Sequence, residues 1–213
     1  MKFENRKYFY TAIFFLITFI VWTALVSFVD VKPIGPQNSN VGFATLNGYF
    51  HNITGVNMML YKVTDWLSII PIIFVLGFAL LGFIQLVKRK SVLKVDTSIL
   101  ILGGFFIVTL SLFVFFEVFI VNYRPILIEG VLEASYPSST TLLVMCVMPT
   151  SLMQLNDRIK IRSLKRCVAL AITSFTIFMV IGRLISGVHW LTDIIGGALL
   201  STGLVLTYYS LTK

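Results

Sequence analysis

His189 and Asp193 are four residues apart, one turn of a helix, so their side chains fall on one face. An aspartate there can accept the Nδ1–H of the imidazole and fix its tautomer. That leaves Nε2 free as a nucleophile or base. A histidine satisfied by a capping partner at a helix start has the same spacing. Arg183, six residues earlier, brings a guanidinium to the same mouth, and arginine is the bidentate partner of phosphate. Arg124 is a second such cation, although an arginine snorkelling to a membrane surface looks the same. Ser138, Ser139 and Thr140 follow Pro137 and open a helix. Free backbone N–H groups at a helix start bind anions. The same serines also serve as plain N-caps. No single element is specific, but together they describe a phosphate site.

These residues must be positioned by elements that live in lipid. Hydrophobic residues make up 57% of the 213 and charged ones only 12%. An ordinary soluble domain carries about 25% charge. A soluble globule of this size cannot hide so much apolar surface, which excludes a cytosolic enzyme, a disordered chain and a secreted disulfide scaffold. Six stretches are apolar and almost free of charge: Tyr8–Val29, Trp66–Val87, Thr97–Phe116, Ala134–Asn156, Cys167–Gly182 and Ile194–Thr212. A spanning helix needs about 20 such residues. The runs lack the period-two alternation of a membrane β-barrel. The expected fold is all-α: residues 1–213 as a single membrane domain of six transmembrane helices in one bundle. Pro137 and Pro149 interrupt the fourth run, so its helix is expected to start near Ser138. The fifth is short and extends past Arg183 if that charge meets water or a partner.

Lys and Arg set the orientation. Lys2, Arg6, Lys7, Lys88, Arg89, Lys90, Lys94, Arg158, Lys160, Arg162, Lys165, Arg166 and Lys213 fall on one side. Only Lys32, Lys62, Arg124 and Arg183 fall on the other. The positive-inside bias then places both termini in the cytoplasm and the phosphate site outside. The same distribution accounts for the net charge of +8 without nucleic acid. The first run is longer than a signal-peptide core and reads as an anchor. Residues 30–65 form a long extracytoplasmic loop, in which Val41–Tyr61 can lie along the interface as a helix. Asn52-Ile53-Thr54 within it is a glycosylation sequon. Cys146 and Cys167 read as small core residues, and no Cys/His cluster suggests a metal. Nothing in the sequence specifies an oligomeric state.

Three segments resemble the signature of the type 2 phosphatidic acid phosphatases, integral-membrane lipid phosphatases. That family's pattern is K-x6-R-P, then P-S-x-H, then S-R-x5-H-x3-D. This sequence reads Glu117-x6-Arg124-Pro125, then Pro137-Ser138-Ser139-Thr140, then Gly182-Arg183-x5-His189-x3-Asp193. Order, spacing and the six-span layout match over nearly the whole chain. The resemblance implies that His189 attacks phosphorus to form a phosphohistidine and that Asp193 orients it. It implies that Arg124, Arg183 and Ser138 hold the phosphoryl oxygens, with Ser139 and Thr140 beside them, and that no cofactor or metal takes part.

Three positions depart from the pattern. The family lysine is Glu117, the proton-donating histidine is Thr140, and the third-motif serine is Gly182. Glu117 lies seven residues before Arg124 and can pair with it across two turns of one helical face, or act as an acid itself. His51, in the long loop, is the other histidine and can swing in as a donor. Two readings follow. The first is a phosphatase of the plasma membrane of a bacterium, acting outside on a polyprenyl diphosphate or a phospholipid phosphate. The second is a weak or inactive relative that binds a lipid phosphate as sensor or scaffold.

Overall fold

The computed structural model describes residues 3–212, with side chains from residue 5 onward; Lys2 and Lys213, both used above for orientation, lie outside the described residues. Eight α-helices run along the described chain: α1 (Phe3–Phe28), α2 (Ala44–Thr54), α3 (Met58–Leu67), α4 (Ile69–Arg89), α5 (Thr97–Val118), α6 (Ser139–Arg158), α7 (Arg162–Ile185) and α8 (Leu191–Thr212). All six apolar runs are helical, and among the described residues there are isolated β-bridges but no strand. Five helical stretches are long and apolar enough to cross a membrane: Asn5–Phe28, Met58–Arg89, Thr97–Val118, Arg162–Ile185 and Leu191–Thr212.

The fourth run, α6, is as long but carries more polar residues. It sits in the middle of the bundle, against α4, α5, α7 and α8. Several of its polar side chains find partners there, as lipid-embedded groups require, although the buried Ser151 hydroxyl has none. Thr150 Oγ1 donates to the Cys146 carbonyl at 2.7 Å, and Gln154 Nε2 donates to Tyr208 Oη at 2.5 Å. Ser138 caps the helix and accepts from the Thr141 N–H, which places its start where Pro137 predicts. The outer helices show the opposite pattern, with Phe14, Ile20, Leu76, Phe83 and Ile107 exposed. Lipid tails are as apolar as these side chains, so nothing drives them inward. Cys146 is buried as expected; Cys167 is exposed on α7, because the turn that carries it faces away from the bundle.

The long loop is more ordered than a chain lying on the interface. A Lys32–Val41 bridge closes its first part, and α2 and α3 follow. Both helices dock on the bundle, α2 against α8 and α3 against α7. Buried Asn47 fixes α2, donating to Thr192 Oγ1 at 2.9 Å and accepting from the Thr192 N–H at 3.2 Å. Asn57 caps α3 and donates its backbone N–H to the Ser186 carbonyl at 2.9 Å.

Candidate active site

The segment between α5 and α6 carries two site residues on a short ladder. Its backbone pairs Arg124 with Glu133 and Asn122 with Ser135, at 3.0 and 2.9 Å. The ladder turns at Glu129-Gly130, where both residues have positive φ, as the two-residue hairpin turns of primed type require. Arg124 is therefore on the ladder and Glu117 on the last turn of α5, which ends at Val118. The expected pairing along one helical face does not form, because the helix stops between them. Arg124 Nε instead lies 3.0 Å from Glu133 Oε2, an ion pair by distance although the N–H is not aligned for a hydrogen bond. Glu117 is exposed and lines a narrow crevice with Ser135 and Ser139, within electrostatic range of Arg124 and Glu133.

His189 sits in the turn between α7 and α8, buried, with Asp193 in the first turn of α8. Nδ1 and Asp193 Oδ2 are 3.8 Å apart, too far for the direct hydrogen bond expected from the spacing. Ser135 fills the gap. Its hydroxyl makes a short hydrogen bond to Asp193 Oδ2 and lies 3.1 Å from His189 Nδ1. With the Ser135 hydroxyl donating to the Asp193 carboxylate, Nδ1–H donates to Ser135 Oγ and Nε2 carries the free lone pair. Nε2 is buried and has no protein partner. Asp193 Oδ2 also accepts the Trp190 N–H at 2.8 Å, which locks the turn. Burial, and then the charges of Arg124 and Arg183, hold the His189 imidazole well below its ordinary range, so it is neutral at pH 7.

Arg183, near the end of α7, is fully enclosed. Its Nη2 donates to Thr140 Oγ1 and to Asp65 Oδ1, each at 2.7 Å. Its Nε and Nη1, and Arg124 Nη1, are buried donors without a protein acceptor. The Tyr61 ring faces both guanidinium groups, 4.8 Å from Arg183 Cζ and 5.8 Å from Arg124 Cζ. Ser138 Oγ is spent on the cap, accepting from Thr141 Oγ1 at 3.0 Å, while the Ser138 N–H is bonded to the Asp193 carbonyl at 3.1 Å. Ser139 is partly buried on the crevice side. His51 does not swing. It is part of α2, its ring packs 5.5 Å from the Trp190 ring, and burial lowers its pKa, which disfavours the protonated form a donor needs.

Ser135, Glu133, Tyr61 and Asp65 were absent from the candidates read in sequence. Asp65 and Glu133 had a visible signal. Both are carboxylates flanking apolar runs on the side assigned to the site, where every ionisable group is a functional candidate. Ser135 and Tyr61 had none. Among the described residues no group of three or more His, Cys, Asp or Glu side chains is arranged to hold a metal ion.

The fold and site define an all-helical integral membrane protein with a His–Ser–Asp relay beside two buried arginines. Residues 43–213 match the PAP2 superfamily, and the chain belongs to that family. Membership supports phosphatase activity on a membrane lipid. The fold is also similar to the crystal structure of the first transmembrane PAP2 type phosphatidylglycerolphosphate phosphatase from Bacillus subtilis. The TM-score is 0.58 at 19% identity, over 94% of each chain. No curated protein matched the sequence.

Proposed function

We propose that this protein is a lipid phosphatase with a covalent phosphohistidine step, acting on a polyprenyl diphosphate or phospholipid phosphate. The observation that carries the reading is His189. Its Nε2 is buried, unpartnered and neutral, and its other nitrogen is tied through Ser135 to Asp193. A binding module has no need of an oriented imidazole. Arg124 and Arg183 offer free donors to the phosphoryl oxygens. Thr140 Oγ1 accepts from Arg183, which leaves its own proton for the ligand. His189 attacks phosphorus, the lipid leaves, and water then releases phosphate from the imidazole. Hydrolysis by the purified protein should survive a chelator, since no step uses a metal. Complete loss with chelator refutes the mechanism.

One observation favours the second reading, a lipid-phosphate sensor or scaffold. Both arginines already face carboxylates, Glu133 and Asp65. An intact binding affinity with no turnover would establish it.

In this reading α6 is the sixth span of a single membrane domain, and both termini are cytoplasmic in the plasma membrane of a bacterium. The site then faces outward. Cysteines placed singly at Val131 and at Lys160, with Cys146 and Cys167 replaced, report the sidedness. An impermeant thiol reagent on intact cells should label Val131→Cys and spare Lys160→Cys. The reverse pattern inverts the topology and the substrate pool.

Glu117 is predicted to oppose phosphate binding. It lies within electrostatic range of Arg124, and an anion near the phosphate repels it. Glu117→Lys should tighten orthovanadate inhibition, and Glu117→Gln should do so less. If Glu117→Gln instead abolishes turnover, Glu117 is the proton donor.

A further inference from the structure

We infer that Asp65 of α3 is a positioning residue for Arg183, and that Gly182 is the adaptation that lets it reach. The inference rests on the reading of Arg183 as a phosphate ligand. The guanidinium is 2% exposed, yet its partner carboxylate is 55% exposed. The pair therefore joins a buried cation on α7 to the rim of the site on α3. Nη2 is held from two sides, by Asp65 Oδ1 and by Thr140 Oγ1, and the Tyr61 ring lies under the group. Tyr61 and Asp65 are one helical turn apart, so a single face of α3 sets the plane of the guanidinium. Nε and Nη1 are left as the donors for a ligand.

That face can touch Arg183 only if α3 lies very close to α7. A Cβ on Gly182 would come within 2.7 Å of Thr64 Cγ2, the residue before Asp65. A Cβ on Gly187, which also has positive φ, would come within 1.8 Å of the Gly55 carbonyl oxygen in the turn before α3. Gly182 of α7 and Gly187 in the turn after it thus admit α3 and the turn before it. The space that a serine side chain at position 182 would take is occupied by Thr64.

The test uses the purified full-length protein in one detergent, with kcat and KM on a lipid diphosphate and the affinity for inorganic orthovanadate. Asp65→Ala removes both the acceptor and the charge. It should lower kcat about 10²-fold, the scale of a misplaced positioning group. Asp65→Asn keeps an acceptor oxygen for Nη2 and should recover at least tenfold of that loss. It should also bind vanadate more tightly than wild type, because a carboxylate beside the anion is gone. In an Arg183→Gln background, Asp65→Ala should cost nothing further, since coupled residues are not additive. Equal losses for the Ala and Asn variants, or an undiminished loss in the Arg183→Gln background, would mean that Asp65 only holds α3 in place. Gly182→Ser should mimic Asp65→Ala by pushing α3 away; unchanged kinetics in that variant overturns the role given to Gly182. If wild type binds vanadate but hydrolyses nothing, the phosphatase reading fails, and Asp65 is judged on vanadate affinity alone. If wild type binds no vanadate, both fail.

Discussion

His189→Ala is expected to leave lipid-phosphate hydrolysis several orders of magnitude below wild type, with the protein still folded. Removing a nucleophile that works as part of a unit typically has that size. The unit here has three members rather than two. Asp193 reaches the imidazole through Ser135, at 3.8 Å from Nδ1 and with the serine hydroxyl between them. Asp193→Asn should therefore be strongly impaired, because an amide disturbs both the serine bond and the Trp190 N–H bond that holds the turn. Ser135→Ala should fall between wild type and His189→Ala, as it cuts the relay but leaves both ends in place. Because burial and two arginines hold the imidazole neutral, the acid limb of kcat/KM should lie below the ordinary histidine value. Single-turnover hydrolysis across pH, with circular dichroism to confirm folding, checks all four points. Wild-type rates in His189→Ala would remove the covalent mechanism.

The second large effect concerns the leaving group. Thr140 stands where the family pattern has a proton-donating histidine, and its Oγ1 is engaged by Arg183 at 2.7 Å. A phosphomonoester leaves as an alkoxide, whose conjugate acid has a pKa near that of water, about 15.7. It needs a proton in the transition state, and a general acid typically contributes about 10²–10⁴-fold. A diphosphate leaves as a lipid phosphate, whose relevant pKa is roughly 6. It departs without a donor. The protein should therefore prefer a polyprenyl diphosphate to phosphatidic acid. Thr140→His should raise monoester turnover more than diphosphate turnover. Position 140 is buried, so the native preference is the independent measure if the histidine variant packs poorly. A native preference for the monoester, or equal gains on both lipids, would show that another group supplies the proton.

Much of this protein was legible without coordinates. Charge-free runs of about 20 residues must be helices in lipid, because no other open structure satisfies the backbone there. All six runs form helices over most of their length, and α6 starts at Ser139, capped by Ser138, close to where Pro137 pointed. The four-residue spacing marked His189 and Asp193 as a pair, but His189 lies in the turn before α8 rather than on a helical face shared with Asp193. Local spacing says nothing, however, of what is inserted between two side chains, and here it is Ser135, 54 residues from His189 in sequence. Nor does it say which carboxylate meets which arginine. Glu117 has the helical spacing to Arg124, but α5 ends at Val118 and the ladder turns Arg124 toward Glu133. Asp65 reaches Arg183 across 118 residues, because glycines at 182 and 187 let α3 seat on α7. The sequence by itself determined the membrane class, the helices and the residue types able to handle phosphate, because hydropathy and helical period act over one or two turns. The tertiary structure alone decided the relay, the ion pairs and the α3 wall, because these are contacts between segments whose approach depends on the packing of the whole bundle.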